Sequence, residues 1–199
     1  MKKAKIMAGA VLAVLVFLSG CEEPNYTTIE WEPDGEGYLQ YMTDDPANGD
    51  SNQIKIISGS THTPMNLTIT VKKMKGYGEE MFGMVFGYQD DNNYYWLVID
   101  TLGNYRLLKR KNGTNTTLKQ ETHSSYLDEG FEEDNKIRVY RANPSANNTI
   151  SIVFNDHNAT PTTITDGDFK TGLGGFFVRV GKYNTDVRCK MLDPAVPTP

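Results

Sequence analysis

Tyr88, Tyr94, Tyr95, Trp96, Tyr105 and Arg106 stand close together in the middle of the chain. Aromatic rings offer flat apolar faces, and their phenol or indole edges offer hydrogen bonds. A saccharide needs both: ring faces for its C–H groups and short polar groups for its hydroxyls. These residues are therefore the candidate ligand-binding set. Between Tyr88 and Tyr94 lies Gln89-Asp90-Asp91-Asn92-Asn93. Its oxygens suit a cation or a sugar at a loop tip. They equally suit a tight turn between two strands, because Asp and Asn tolerate the backbone angles of turns. The turn is the reading the sequence favours.

Catalytic patterns are absent from the chain. There is no G-x-S-x-G to place a serine nucleophile on a strand-to-helix elbow. The histidines His62, His123 and His157 lie far apart, without the i, i+4 spacing that puts two imidazoles on one helix face. Glu79 and Glu80 are adjacent and would face opposite ways in a strand. Asp128 to Asp134 reads as a solvated acidic loop. The expectation is a protein that binds, with no catalytic residues assigned.

The ends bound the rest. Met1 to Lys5 carries Lys2, Lys3 and Lys5, and Ile6 to Leu18 is an uninterrupted run of apolar or small residues. A bilayer span needs about 20 such residues, so the run suits the core of an export signal. Removing residues 1–20 takes the 20 basic residues to 17 against 25 acidic ones, a charge near −8. Such an acidic domain is not built for nucleic acid, and anionic lipid would repel it.

Leu18-Ser19-Gly20-Cys21 resembles the lipobox of bacterial lipoproteins. The resemblance implies cleavage before Cys21, a diacylglyceryl group on its thiol and an acylated amino terminus. Two or three acyl chains, palmitate among them, would anchor the protein to a lipid bilayer without spanning it. Glu22, in place of aspartate, implies the outer membrane. Cys21 is thus the expected lipid attachment site, and Cys189 is left as a buried small hydrophobe with no disulfide partner.

The positions between the ends must carry the candidate site. Residues 21–37 are acidic and rich in proline and glycine, and read as the lipidated cysteine and a flexible tether. Residues 38–193 read as one β-sandwich domain, and the proline-rich residues 194–199 as a disordered tail. Period two dominates the domain: Leu67, Ile69 and Val71; Ile137 and Val139; Ile150, Ile152 and Phe154; Val187, Cys189 and Met191. About eleven strands are expected, parted by Asn-, Asp- and Gly-rich turns, in an all-β antiparallel two-sheet sandwich. Met81 to Tyr88 and Tyr94 to Ile99 are apolar on both faces, so they should lie centrally, one face covered by the other sheet. Phe82, Met84, Phe86 and Tyr88 fall on one face of their run. Tyr94 and Trp96 share a face, and Tyr95 points the other way. Gly83 and Gly87 leave room for something to approach closely, a ligand or a neighbouring part of the chain.

The stretch FGMVFGYQDDNNYYWLVIDTLGNYRLLKRKNG resembles the middle of concanavalin A-like jelly-roll domains, which include laminin G-like modules. Asn135 to Val139, Thr149 to Asn155, and Asp166, Phe169, Gly172 and Gly175 continue the likeness, which covers about Gln53 to Leu192. It is similar in particular to keto-disaccharide-hydrolase-like domains. The resemblance implies the fold more than an activity, since lectins, hydrolases and scaffolds share it. The E-x-D-x-x-E pattern of the glucanase branch is absent. The resemblance also implies calcium at a loop rim. Calcium takes six to eight oxygen ligands, and Asp90, Asp91, Asn92 and Asp156 are the candidates to supply some. The expectation is an exported, membrane-anchored, non-catalytic module for a carbohydrate or an envelope partner. A sugar-active hydrolase and a purely structural envelope protein are the alternatives.

Overall fold

The computed structural model describes residues 28–43, 51–57, 65–141, 148–157, 162–181 and 184–192. Residues 1–27, with the expected export signal, Cys21 and the start of the tether, lie outside them, as do residues 193–199.

The described residues form thirteen strands: β1 (Thr28–Pro33), β2 (Leu39–Thr43), β3 (Ser51–Ile56), β4 (Asn66–Lys75), β5 (Phe82–Asp90), β6 (Asn93–Ile99), β7 (Asn104–Lys111), β8 (Thr114–His123), β9 (Asn135–Tyr140), β10 (Thr149–Phe154), β11 (Thr162–Thr165), β12 (Leu173–Val180) and β13 (Thr185–Leu192). A seven-stranded sheet has the order β1-β2-β13-β4-β9-β10-β11, and a six-stranded sheet the order β3-β12-β5-β6-β7-β8. Every pairing is antiparallel. The fold is the expected all-β, two-sheet sandwich.

The core lies between the sheets and follows the alternation read from the sequence. Leu67, Ile69, Val71, Ile137, Val139, Ile150 and Ile152 from one sheet meet Phe82, Met84, Phe86, Leu97, Ile99 and Leu107 from the other. Each such side chain contributes about 1.5–3 kcal/mol when removed from water. Cys189 is buried among them, and burial pushes its thiol pKa up, as suits a small apolar filler.

Two strands exceed the expected eleven. β12 carries Phe176 and Phe177 side by side, so its apolar residues do not alternate. It lies between β3 and β5, with Phe176 in the inter-sheet core and Phe177 on the outer face. β1 corrects the expected tether: residues 28–37 belong to the folded unit. Thr28–Pro33 pairs with β2, and Trp31 packs on Tyr41 at 5.5 Å and on Phe176 at 6.0 Å. The pairing shifts register between Ile29 and Glu32, with Trp31 at φ 55°, and that bulge erases period two from the sequence. Asp34 then closes the turn into β2, accepting hydrogen bonds from the Glu36 and Tyr38 backbone N–H groups at 2.8 and 3.0 Å.

Candidate functional site

Strand β6 sorts the aromatic residues by side. Tyr95 faces the inter-sheet core, where it stacks on Phe86 with centroids 5.1 Å apart. Its hydroxyl donates to Asp166 at 2.5 Å and accepts from the Phe169 backbone N–H at 3.2 Å. Tyr105 also turns inward, 5.0 Å from the Phe154 ring, with its hydroxyl 3.3 Å from that of Thr162. Tyr94 and Trp96 point to the outer face of the six-stranded sheet, their rings 5.3 Å apart. The division of β6 is the one that strict alternation requires.

Tyr88 departs from its expected face. Pairing between β5 and β6 shifts register between Phe86 and Asp90, and Gly87 takes φ 59°. This bulge turns Tyr88 away from Phe82, Met84 and Phe86 and brings it outward, 5.9 Å from Tyr94. Its hydroxyl donates to Asp91 at 2.5 Å. That hydrogen bond, aided by burial, pushes the Tyr88 pKa up to about 12, and burial raises that of Tyr94. Both phenols are therefore protonated donors at neutral pH.

The outer face thus carries a ladder of rings, Tyr88–Tyr94–Trp96, with Phe177 in the same apolar cluster. One cross-strand row reads Ile54–Phe177–Gly83–Val98–Arg106. The next reads Val85–Trp96–Leu108. Having no side chain, Gly83 interrupts the first row between Phe177 and Val98. A Cβ there would lie 3.0 Å from Val98 Cα, so the close approach at this glycine is made by β6 itself. At Gly87 it is made by Met65, Tyr95 and Phe169.

A shallow recess of about 150 Å³ opens on this face. Trp96, Phe177, Val98 and Met81 provide its apolar lining, and Arg106, Arg179 and Asn52 its polar lining. Among the described residues no carboxylate lines it. Arg106 reaches the Glu121 carboxylate at the rim, where both side chains are well exposed. Of the expected ligand-binding residues, Trp96 and Arg106 line the recess, and Tyr88 and Tyr94 extend its aromatic floor along the face. Asn52, Phe177 and Arg179 were not anticipated. They come from β3 and β12, far from Trp96 in sequence and neighbours only through the sheet order.

The Asp90–Asn93 turn is held by its own side chains. Asp90 accepts from the Asn92 backbone N–H at 2.8 Å and from the Asn93 amide at 2.9 Å. Asp156 is not near it. Phe154, just before Asp156, pairs with Ile137 at the start of β9. Gly87 packs against Met65, beside the opposite end of β9, where Asn66 pairs with Tyr140. Asp156 pairs instead with Lys136 at 2.8 Å. The four expected calcium ligands are thus split between the two ends of the sandwich. Among the described residues no group of three or more His, Cys, Asp or Glu side chains is placed to hold a metal ion.

The charged interior also has structural work. Lys73 is buried and donates to the Tyr77 carbonyl at 2.7 Å and to Glu80 at 3.0 Å. Burial lowers the Lys73 pKa against the opposing pull of Glu80. Lys109 reaches both Asp166 and Asp168, and Lys111 joins Asp168 at 2.7 Å. These pairs tie β7 to the segment that leads into β12. Burial alone would raise the Asp166 pKa, but hydrogen bonds from Lys109 and Tyr95 outweigh it and hold the carboxyl below its usual range. Hydrogen bonds from Lys109 and Lys111 do the same for Asp168.

The sequence matches no known protein-family model and no curated protein. Solved structures do resemble the fold. Carbohydrate-binding module CBM66 from Bacillus subtilis superposes with a TM-score of 0.59 at 15% sequence identity, covering 83% of this chain and 91% of that one. A functionally unknown protein from Saccharomyces cerevisiae gives a TM-score of 0.52 at 14% identity, covering 83% and 92%. At these identities the likeness establishes one thing: the chain folds as a β-sandwich of the kind found in those two proteins.

Proposed function

We propose that this chain is a lipoprotein of the bacterial envelope whose sandwich binds carbohydrate on the outer face of the six-stranded sheet. The observation that carries the reading is the recess floored by Trp96 and Phe177 and flanked by Arg106 and Arg179. A sheet face turned away from the core ordinarily carries scattered polar side chains. This one carries a continuous aromatic ladder. Rings supply faces for sugar C–H groups. Guanidinium forks match the planar oxygens of carboxylate or sulfate. The preferred ligand is therefore a saccharide bearing an acidic group, such as a uronic acid. The likeness to a carbohydrate-binding module agrees with a sugar ligand. Acyl chains on Cys21 would hold the domain at the membrane, in the outer membrane if the Glu22 signal is obeyed.

The test is a titration of the full lipidated chain in detergent with oligogalacturonate, followed at the Trp96 indole N–H resonance. Saturable movement that weakens with added salt supports the site. A Trp96 signal unmoved by oligogalacturonate and by sulfated oligosaccharides would overturn it. For the anchor, Cys21→Ala should abolish labelling by a fatty-acid analogue; persistent labelling would refute acylation at Cys21.

A further inference from the structure

A second recess lies at the end of the sandwich that carries Asp156, away from the aromatic face. Its volume is about 200 Å³. Tyr126 and His157 stand at its side, their rings stacked 4.5 Å apart with an interplanar angle of 20°. Tyr126 is 38% exposed. Ser124, Ser125 and Thr162 supply hydroxyls, and His123 supplies a second imidazole. The Tyr105 hydroxyl, 3.3 Å from Thr162, lies at the junction of the two sheets. Among the described residues, none that lines it is Asp, Glu, Lys or Arg.

The recess is built in advance of any ligand. It forms where the segment after β8 meets the turn after β10. Asn155 joins the two: its amide donates to the Tyr126 carbonyl at 2.9 Å and to Asp128 at 3.0 Å. Its own carbonyl oxygen accepts from the Lys136 backbone N–H at 2.7 Å. Asn155 and Asp156 take φ 47° and 61°, left-handed angles that Asn and Asp accept more readily than most residues. These angles reverse the chain and present His157 to Tyr126. The His157 N–H closes the turn on the Phe154 carbonyl at 3.0 Å. The aromatic pair is therefore fixed from both sides, and little ordering remains for a ligand to induce.

We propose that this recess is a second binding site, for a neutral saccharide ring. A partly exposed ring stack offers a flat apolar surface to the C–H face of a sugar. The Ser124, Ser125 and Thr162 hydroxyls, which both donate and accept, match sugar hydroxyls, which do the same, while the His123 Nε2 is already joined to Glu129 at 2.9 Å. A described lining without Asp, Glu, Lys or Arg gives little reward to a carboxylate or sulfate. The site is distinct from the aromatic face in position and in the ligand charge it selects, so it stands whether or not that face binds.

The experiment titrates the full chain in detergent with the methyl glycosides of glucose, galactose, mannose and N-acetylglucosamine. The His123 and His157 ring C–H resonances report this recess, and the Trp96 indole N–H reports the aromatic face. The expected result is saturable movement of both imidazoles by at least one glycoside, with Trp96 unmoved. Tyr126→Ala should weaken that binding about tenfold, the loss of one aromatic anchor. Tyr126 is at the surface, so the variant should keep the wild-type amide spectrum. Imidazoles unmoved by all four glycosides, or binding undiminished in a folded Tyr126→Ala variant, would overturn the proposal.

Discussion

The two recesses differ in how they are built. The one on the sheet face is made by strands: Asn52 from β3, Phe177 and Arg179 from β12, Trp96 and Val98 from β6, Arg106 from β7. The one at the sandwich end joins strand ends, with Tyr105, His123, Phe154 and Thr162, to two turns that Asn155 holds together and that carry Ser124, Ser125, Tyr126 and His157. The first has a buried apolar floor with cationic walls; the second has a half-open ring stack among neutral hydroxyls. Strands fix side chains by register, so the face site gains its shape from the same pairing that makes the fold. Turns fix side chains by a few hydrogen bonds, so the Tyr126–His157 wall of the end site depends on one amide. The same sandwich can thus present a rigid site selective for charge and a separate site selective against it.

That contrast can be broken by mutation. Trp96→Ala should have the largest effect: Trp96 is 8% exposed, so truncation should cost about 3 kcal/mol or more of stability by thermal or chemical denaturation. It should abolish oligogalacturonate binding yet leave imidazole shifts at the far end intact in the folded fraction. Asn155→Ala should cost about 2 kcal/mol, because it leaves the Lys136 N–H and the Tyr126 carbonyl without their partner. Its binding defect should be confined to neutral glycosides. Arg106→Gln removes an exposed ion pair with Glu121 and should change stability by less than about 1 kcal/mol. Affinity for the acidic saccharide should still fall about tenfold, with a flatter salt dependence.

The smallest effect concerns acid. The carboxyls of Asp166 and Asp168 are held below their usual range by Lys109, with Tyr95 and Lys111 assisting. A depressed carboxyl stabilises the fold above its unfolded pKa, about 3.9, and that contribution is lost as pH falls through the folded value. Stability should therefore decline below about pH 4, and Lys109→Met should flatten that decline. The loss should loosen the segment leading into β12 and leave the end recess unaltered until global unfolding. Equal acid sensitivity in Lys109→Met and the parent would show that these pairs contribute nothing.

The sequence was most legible where one strand could be read alone. Alternation placed Tyr94 and Trp96 together and Tyr95 opposite because the side-chain period of a strand is two. It misplaced Tyr88, since the bulge at Gly87 sets three residues of β5 against one of β6, an irregularity that no periodic reading counts. It missed β1 for the same reason, and the acidic, Pro- and Gly-rich composition around Trp31 concealed a packed strand. Asp90 read correctly as a turn residue because its partners, Asn92 and Asn93, are adjacent to it. Asp156 could not be paired with or parted from it by spacing, since their distance depends on which end of the sandwich each strand leaves by.

By itself, then, the sequence determined the all-β class, the inward faces of most strands and the division of aromatics along β6. These follow from local backbone geometry and the burial of alternate apolar residues. Only the tertiary structure decided that Phe177 and Arg179 join Trp96, that the candidate calcium ligands lie apart, and that Tyr126 and His157 form a wall. Sheet order is not chain order: β12 enters between β3 and β5, and the segment after β8 meets the turn after β10. Such neighbours are chosen by the packing of two whole sheets, a global balance of buried area that no short stretch of residues encodes.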